Sequence, residues 1–300
     1  MKQKIIYIAG LGHSGTTILD MVLGAHHDIV GLGEVKATLQ QNFEDITKKK
    51  VTHICSCGKE ITECDFWSGY INMKETEKLS FENRYKNLLN YAIHAKGIKI
   101  ILDSSKNSNS YLKFLKNNYD LRVIFIVRDF RSWIYSRFTR TKTPMLFLGY
   151  RWWLENIKIM FKIKHMGIDF KVVGYEELCI FPEFILNEIC TFSGINFTPA
   201  MLSPDNTRSH IVMGNIARVD KEKRAKIIYD MRWMVSTRLN VLLPLFFPLF
   251  KWNRKHVYSN VMHKKTVAFN KRQWDFFLFG NKNKESLIDQ YEKVKPKSAP

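Results

Sequence analysis

The stretch KIIYIAGLGHSGTTILDMVL, residues 4–23, decides the fold class of this chain of 300 residues. It begins with the apolar run Ile5–Ile8, continues through a loop with three glycines, and ends in residues whose apolar members recur at helical spacing. Lys4 to Ala9 therefore predicts a buried strand, and Thr16 to Leu23 predicts the helix that follows it. A strand, a tight loop and a helix in this order are typical of an α/β domain.

Three later stretches repeat this pattern, since each is apolar, rich in β-branched residues and followed by polar residues that can begin a helix. They span residues 98–102, 122–127 and 170–173. Strands that are apolar throughout and alternate with helices favour a parallel sheet that is covered on both faces. Residues 145–165, rich in aromatic and basic side chains, predict a long helix. The predicted fold is an α/β fold with a central parallel sheet and helices on both faces.

The length and the hydrophobic content of 45% suffice for one large α/β domain or for a domain with an attached second lobe. We predict an α/β core over residues 1–220, with a cysteine-bearing insertion at about residues 43–80. Residues 221–300 are predicted to form a C-terminal extension that is partly helical and packs on the core.

The chain is strongly basic, with 47 Lys and Arg against 28 Asp and Glu and a formal net charge of +19. Such an excess attracts anions but does not identify one. The apolar start is shorter than a secretory signal, so we expect a cytoplasmic protein. The apolar run at residues 239–250 contains two prolines and is too short to span a bilayer as a helix. It packs on the core, closes a cleft, or makes a peripheral membrane contact through residues 238–255.

The loop Gly10–Thr17, GLGHSGTT, has the two glycines and the final threonine of a Walker A loop, but Thr16 stands where that loop has lysine. Its glycines allow backbone N–H groups to point inward, and the following helix adds its positive dipole end. The loop is therefore P-loop-like and suited to an anion, while the missing lysine argues against ordinary ATP hydrolysis. The alternative is a Gly-Ser turn that only caps a helix.

This loop resembles the 5′-phosphosulfate loop of sulfotransferases that use 3′-phosphoadenylyl sulfate (PAPS), which has a basic residue before Ser-Gly-[ST]-[ST]. Here the motif reads His13-Ser14-Gly15-Thr16-Thr17, with histidine in place of the usual lysine or arginine. A second stretch, VIFIVRDFRSWIYSR at residues 123–137, resembles the family's 3′-phosphate element, a strand that ends in Arg-Asp with a serine eight residues after the arginine. The likeness covers roughly residues 4–220, and further stretches resemble bacterial members and the tyrosylprotein branch in particular.

The resemblance implies which residues bind the donor. Arg128 can donate two parallel hydrogen bonds to a phosphate, and the Ser136 hydroxyl, two helical turns further on, lies on the same side. Arg218, in HIVMGNIAR, is a further candidate grip on the 3′-phosphate. The implied PAPS-binding residues are Gly12, His13, Ser14, Gly15, Thr16, Thr17, Arg128, Ser136 and Arg218.

The same resemblance implies three catalytic candidates. Glu34, in a Gly-Glu after the first helix, is the candidate base that takes the acceptor's proton. His13 and Lys106 together are candidates to replace the missing lysine charge. The plain alternatives are a glutamate in the first turn of a helix, a loop histidine bonded to the backbone and a solvated lysine.

The implied activity is transfer of a sulfuryl group from PAPS to a hydroxyl or amine of a small-molecule, glycan or lipid acceptor, with release of 3′-phosphoadenosine 5′-phosphate (PAP). The expected partners are PAPS, PAP and the acceptor, without nucleic acid, and no metal is expected to be required. One alternative is a P-loop-type nucleotide-dependent kinase, in which Asp103 would serve magnesium. The other is a non-enzymatic basic protein that binds anions or membranes.

The insertion carries Cys55, Cys57 and Cys64, with His53 nearby. These four are a weak candidate metal set, because the Cys-x-Cys spacing is tighter than usual for zinc. A disulfide and inert or redox-labile thiols are the alternatives.

Overall fold

The computed structural model describes residues 2–48, 53–73, 79–106, 109–214, 218–220 and 227–258. Its centre is a five-stranded sheet in which every neighbouring pair is parallel, in the order β2-β3-β1-β4-β5. The strands are β1 (Lys4–Ala9), β2 (Ile29–Gly31), β3 (Ile100–Asp103), β4 (Asp120–Val127) and β5 (Phe170–Gly174). The predicted α/β fold with a parallel sheet is confirmed.

Helices connect the strands and flank the sheet. The α-helices of the described residues are α1 (Thr16–Leu23), α2 (Val35–Leu39), α3 (Phe43–Thr47), α4 (Trp67–Ile71), α5 (Phe81–Lys96), α6 (Asn109–Asn118), α7 (Phe130–Thr141), α8 (Met145–His165), α9 (Tyr175–Ile180), α10 (Pro182–Ser193), α11 (Thr237–Leu242) and α12 (Phe247–His256). The 3₁₀ turns are Pro199–Leu202, Pro204–Asn206, Arg232–Val235 and Leu243–Phe246.

The core has one layer on each face of the sheet, because successive side chains of a strand point to opposite faces. In β1, Ile5 and Tyr7 join the cluster that also holds the insertion and α5–α8. Ile6 and Ile8 join the other cluster, with α1, α9 and α10. Both clusters are fully apolar along the strands, which is why the sequence runs show no polar alternation.

The described part of the C-terminal extension packs on α7 and α8. The ring of Phe246 lies 5.7 Å from that of Phe130, and the ring of Trp252 lies 5.4 Å from that of Trp152. The extension beyond residue 258 lies outside the described residues, as do residues 49–52 and 74–78 of the insertion. Among the helices that the structure describes, none combines the length and hydropathy needed to cross a bilayer.

Candidate active site

The loop between β1 and α1 is held by two backbone conformations that side chains rarely adopt. His13 has φ 72° and Gly15 has φ 93°. A Cβ on Gly15 would lie 2.3 Å from the ring of Tyr175, so a glycine is required there by space as well as by φ. At the other end of the loop, Trp133 Nε1 donates to the Gly12 carbonyl at 2.8 Å. The loop is thus fixed by α7 and α9 as well as by its own turn.

Ser14 is the polar residue of the loop that lacks an internal partner. Its side chain is fully buried, and its Oγ has no hydrogen-bond partner among the described residues. A buried hydroxyl without a partner costs free energy unless something else bonds to it. It lies two residues before the start of α1, where free N–H groups and the helix dipole favour an anion. Thr16 is also buried, and Thr17 is half-buried beside it in the first turn of α1.

Arg128 follows the last residue of β4 and points back to the loop. Its Nη1 donates to the His13 carbonyl at 3.0 Å, and its Nε donates to Ser132 Oγ at 2.9 Å. Its Nη2 forms an ion pair with Asp230 at 2.5 Å. Ser136, the serine expected from the motif, is buried one turn further along α7, so the hydroxyl bonded to Arg128 is that of Ser132. Sequence reasoning missed Ser132, although it lies within the quoted motif.

His13 is surrounded by positive charge. Burial, followed by the charges of Arg140, Arg137, Arg128 and Lys106, lowers the pKa of His13 to about 4. The imidazole is therefore neutral at pH 7 in the ligand-free protein. Arg137 and Arg140 were not selected from the sequence, although both lie on α7 next to Ser136, and a helix brings residues three and four apart to one face.

Glu34 and Lys106 form an ion pair, with Lys106 Nζ 3.4 Å from Glu34 Oε1. Glu34 directly precedes α2, and Lys106 follows β3. The two loops are joined by a hydrogen bond from the Ser104 N–H to the Gly33 carbonyl at 2.8 Å. The sequence candidates for base and for replacement charge therefore meet at the carboxyl edge of the sheet, as parallel topology requires.

Asp103 is enclosed rather than exposed to the site. It is fully buried, accepts the Ser105 N–H at 2.9 Å and the Tyr85 hydroxyl at 3.2 Å, and also accepts the Tyr111 hydroxyl. Burial raises the pKa of Asp103. These contacts give Asp103 the role of shaping the loop that carries Lys106.

Arg218 lies on the Glu34 side of the site. Its guanidinium donates to the carbonyls of Gly214 and Ile54 at 3.3 and 3.5 Å. A Cβ on Gly214 would lie 3.7 Å from Glu34 Oε1, which places this segment against the candidate base. Burial lowers the pKa of Arg218, and Glu34 is among the negative charges that oppose this shift.

The three cysteines of the insertion meet His210 rather than His53. The Sγ atoms of Cys55, Cys57 and Cys64 and a ring nitrogen of His210 all lie within 4.8 Å of one another. The carbonyl of His53 accepts the Ile61 N–H, and its buried Nε2 has no partner among the described residues. The metal set proposed from the sequence thus needs a different histidine, because residues 209–211 fold back onto the insertion.

The sequence matches a family model, and the fold is similar to that of a solved structure. Residues 6–199 match the family described as "Sulfotransferase family". The sulfotransferase domain of the curacin biosynthetic pathway has 17% identity and a TM-score of 0.55, over 82% of this chain and 97% of that one. The sulfotransferase domain of a Synechococcus olefin synthase has 17% identity and a TM-score of 0.47, over 82% and 96%. A Mycobacterium tuberculosis sulfotransferase has 17% identity and a TM-score of 0.41, over 75% and 77%.

No curated protein matches the chain at a significant level. The curacin domain and this chain share the α/β fold. The family match covers well over half of the chain and includes the glycine loop, Glu34, Lys106 and Arg128. The chain belongs to the sulfotransferase family.

Proposed function

We propose that this protein transfers a sulfuryl group from PAPS to a hydroxyl or amine of a small-molecule, glycan or lipid acceptor and releases PAP. The observation that carries the proposal is the meeting of a buried, unpartnered Ser14 hydroxyl with the cations around His13, beside the Glu34–Lys106 pair. Such a site combines anion binding with a carboxylate able to take a proton. The proposal includes a cytoplasmic location.

The donor binds between the loop and the start of α7. The phosphosulfate lies on N–H groups of the loop between Gly12 and Thr17, apart from that of Ser14, which donates to the Leu11 carbonyl at 3.1 Å. The Ser14, Thr16 and Thr17 hydroxyls are further donors. Arg128 and Ser136 bind the 3′-phosphate, and Ser132 holds the Arg128 guanidinium in place. Arg218 is the further candidate for that phosphate, approaching from the Glu34 side.

In the reaction, the acceptor oxygen or nitrogen forms a bond to sulfur while the bond from sulfur to the bridging phosphate oxygen breaks. The acceptor's proton passes to the Glu34 carboxylate, and the electron pair of the broken bond remains on PAP. Lys106 and the His13 N–H stabilise this growing negative charge. Positioning and charge stabilisation account for most of the effect, as in phosphoryl transfer. No step uses a metal.

A kinase reading is less consistent with the site. Magnesium-dependent phosphoryl transfer needs a carboxylate open to the metal. Asp103 instead accepts hydrogen bonds from Ser105, Tyr85 and Tyr111 inside the core. A protein that only binds anions would not need Glu34 between cations, since a carboxylate there weakens anion binding.

Nucleotide selectivity tests the proposal. PAP should bind more than about tenfold tighter than AMP or ATP, because those ligands lack the 3′-phosphate that Arg128 bonds to. Arg128→Ala should remove this preference, at a cost of about 1.5–3 kcal/mol. Arg122→Ala, at the other end of β4 and paired with the exposed Asp169, is the matched control. Calorimetry measures all three nucleotides on each variant.

Equal affinities for PAP, AMP and ATP in the unmodified protein would contradict the PAPS assignment. Binding of any polyanion with steep salt dependence would favour the non-enzymatic alternative. Labelled PAPS offered with sugar, phenol, lipid and amine acceptors then identifies the acceptor class.

A further inference from the structure

The cysteine insertion and residues 209–211 build a compact donor set on the Glu34 side of the candidate active site. Cys55 and Cys64 are buried, and Cys57 is exposed. His210 enters the same space from a segment about 150 residues further along the chain, and the four ligand atoms lie within 4.8 Å of one another. Thiolates with one imidazole are a ligand set that Zn²⁺ prefers.

The distances among Cys55, Cys64 and His210 are close to those of tetrahedral coordination, and Cys57 Sγ lies within 4.8 Å of all three. Cys64 Sγ lies 3.6 Å from Cys55 Sγ, and His210 Nδ1 lies 3.2 Å from Cys64 Sγ and 3.8 Å from Cys55 Sγ. With Zn–S of about 2.3 Å and Zn–N of about 2.0–2.1 Å, a tetrahedron places its sulfur atoms about 3.8 Å apart and nitrogen about 3.5 Å from sulfur. A disulfide between Cys55 and Cys64 would instead need a separation of about 2.05 Å.

The backbone holds these ligands in place before any metal arrives. The Cys55 N–H donates to the Lys59 carbonyl at 2.9 Å, and the Gly58 N–H donates to the Cys55 carbonyl at 2.9 Å, which closes a tight turn around Cys57. Gly58 has φ 91°, a value that favours glycine in that turn. The turn therefore presents Cys55 and Cys57 to the same space.

His210 is oriented by its own contacts. The Trp67 Nε1 donates to the His210 carbonyl at 2.6 Å, and the Phe66 ring stacks on the imidazole at 5.5 Å. Ser56 bonds the two segments together, since its N–H donates to the Ile211 carbonyl and its Oγ accepts the Ile211 N–H, both at 2.9 Å. Contacts that orient a ligand from behind are a regular feature of metal sites.

We propose that Cys55, Cys57, Cys64 and His210 bind a structural Zn²⁺ as three thiolates and one neutral imidazole. Binding releases the three thiol protons to solvent and involves no oxidation. Four protein ligands fill the tetrahedron, so the ion has no open position for a substrate and its role is structural. The exposed side of Cys57 provides a route for the metal from solvent.

The zinc site would position the segment that approaches Glu34. The His210 N–H donates to the Gly31 carbonyl at 2.6 Å, directly before the Gly33-Glu34 turn. Four residues beyond His210, Gly214 lies against the Glu34 carboxylate, and Arg218 follows. The metal therefore ties the insertion to the edge of the sheet where the candidate base lies. It is separate from the chemistry of sulfuryl transfer.

Metal content and cobalt spectroscopy of the full chain test this site. Protein purified under reducing conditions should contain one zinc ion per chain. Replacement by Co²⁺ should give thiolate-to-cobalt charge-transfer absorption in the near ultraviolet and intense visible bands of a tetrahedral ion. Cys57→Ser removes a ligand whose side chain is exposed, so the fold should survive while zinc affinity falls by about tenfold or more. Cys179→Ser, on the opposite face of the sheet, is the matched control and should keep the metal.

The proposal is overturned if reduced protein neither retains zinc nor gives the thiolate–cobalt absorption. It is also overturned if Cys57→Ser binds zinc as tightly as the unmodified chain. A freshly purified chain that lacks zinc and carries a Cys55–Cys64 disulfide would assign the cluster to a redox role. The cobalt spectrum of the unmodified protein keeps the test decisive if a variant fails to fold.

Discussion

The Glu34–Lys106 ion pair is the residue-scale feature from which the proposed chemistry starts. Both side chains are partly exposed, with 23% and 48% of their surface accessible, so the pair itself contributes little to stability. Its value lies in position, because the pair places a carboxylate beside the cations of the site, where it can take a proton from the acceptor. A structural role and a catalytic role therefore predict different results for the same substitution.

Glu34→Gln should lower kcat by a factor of about 10² or more and leave the affinity for PAP nearly unchanged, since an amide cannot take the acceptor's proton. Steady-state kinetics with calorimetry of PAP measures both. Glu183→Gln, an exposed glutamate in the first turn of α10, is the matched control for a helix-start role. If turnover survives in Glu34→Gln and only thermal stability falls, the base lies elsewhere.

The pKa of His13 is expected to change when the nucleotide binds. Its pKa of about 4 reflects burial and the surrounding cations, and a bound phosphosulfate anion counters those charges and raises it. PAP binding at about pH 6 should therefore take up more protons in the unmodified protein than in His13→Gln. Calorimetry in two buffers of different ionisation enthalpy measures this difference, because the phosphates of PAP, whose second pKa is about 6, exchange protons in both proteins. The exposed His27→Gln is the control.

The same shift predicts acid sensitivity. In the unfolded chain His13 has an ordinary pKa near 6.5. As the pH falls from about 6.5 to 4, the unfolded chain therefore binds a proton at His13 that the folded protein does not bind. The contribution of His13 to the free energy of unfolding is complete above about pH 6.5 and is lost progressively as the pH falls to about 4. Urea unfolding of His13→Gln across this range should show a smaller loss than the unmodified protein. Equal losses would mean that His13 is not in the buried, neutral state.

At the scale of elements, residues 227–232 cross the proposed nucleotide site. The Tyr175 hydroxyl donates to the Ile228 carbonyl at 2.9 Å, and Asp230 pairs with both Arg128 and Arg232. Burial alone would raise the pKa of Asp230, but hydrogen bonds from Arg232 and the charge of Arg128 hold it below its usual range. The Asp230 carboxylate is thus paired with Arg128, the residue that we propose binds the 3′-phosphate.

Asp230→Asn should tighten PAP binding on the order of tenfold, because the phosphate then no longer competes with a carboxylate for Arg128. Calorimetry with PAP measures the change. Asp169→Asn, the exposed partner of Arg122, should leave affinity unchanged. Weaker binding in Asp230→Asn would instead show that the carboxylate positions Arg128 for the nucleotide.

At the scale of the whole molecule, the chain has a net charge of +19 and also exposes apolar side chains on its C-terminal extension. The run at residues 239–250 has both buried and exposed side chains, and Leu239, Phe246 and Leu249 are buried in the core. Its exposed apolar side chains, together with those at the start of α8 that packs on it, are Val241, Leu245, Phe247, Leu146, Phe147 and Tyr150. Basic residues at 238, 251, 254 and 255 flank this run in the sequence, and Lys251 Nζ lies 4.8 Å from the centre of the Phe247 ring.

This surface predicts salt-sensitive binding to anionic vesicles, with each basic residue near the surface contributing about 1 kcal/mol. Leu245→Ser/Phe247→Ser should abolish flotation with such vesicles without unfolding the protein, because both side chains are more than half exposed. Phe184→Ser, an exposed apolar residue of α10, is the control. No flotation of the unmodified protein would remove the membrane contact and favour packing and a soluble acceptor.

Local pattern determined much of this molecule. The bounds of β1, α1 and α8 agree with the predicted residues 4–9, 16–23 and 145–165, because apolar spacing and turn glycines act over a few residues. β2 was missed, since three residues are too few for a period to be visible.

Only the tertiary structure decided the contacts between residues that are far apart in the chain. Asp230 lies on Arg128 across 102 positions, and His210 reaches Cys64 across 146. Neither partner carries a local signal, because a carboxylate or an imidazole acquires its role from what the fold brings next to it. The sequence thus determined the sheet, its loops and the family motifs, whereas long-range packing decided which charges are paired, which histidine joins the thiols and which apolar residues remain exposed.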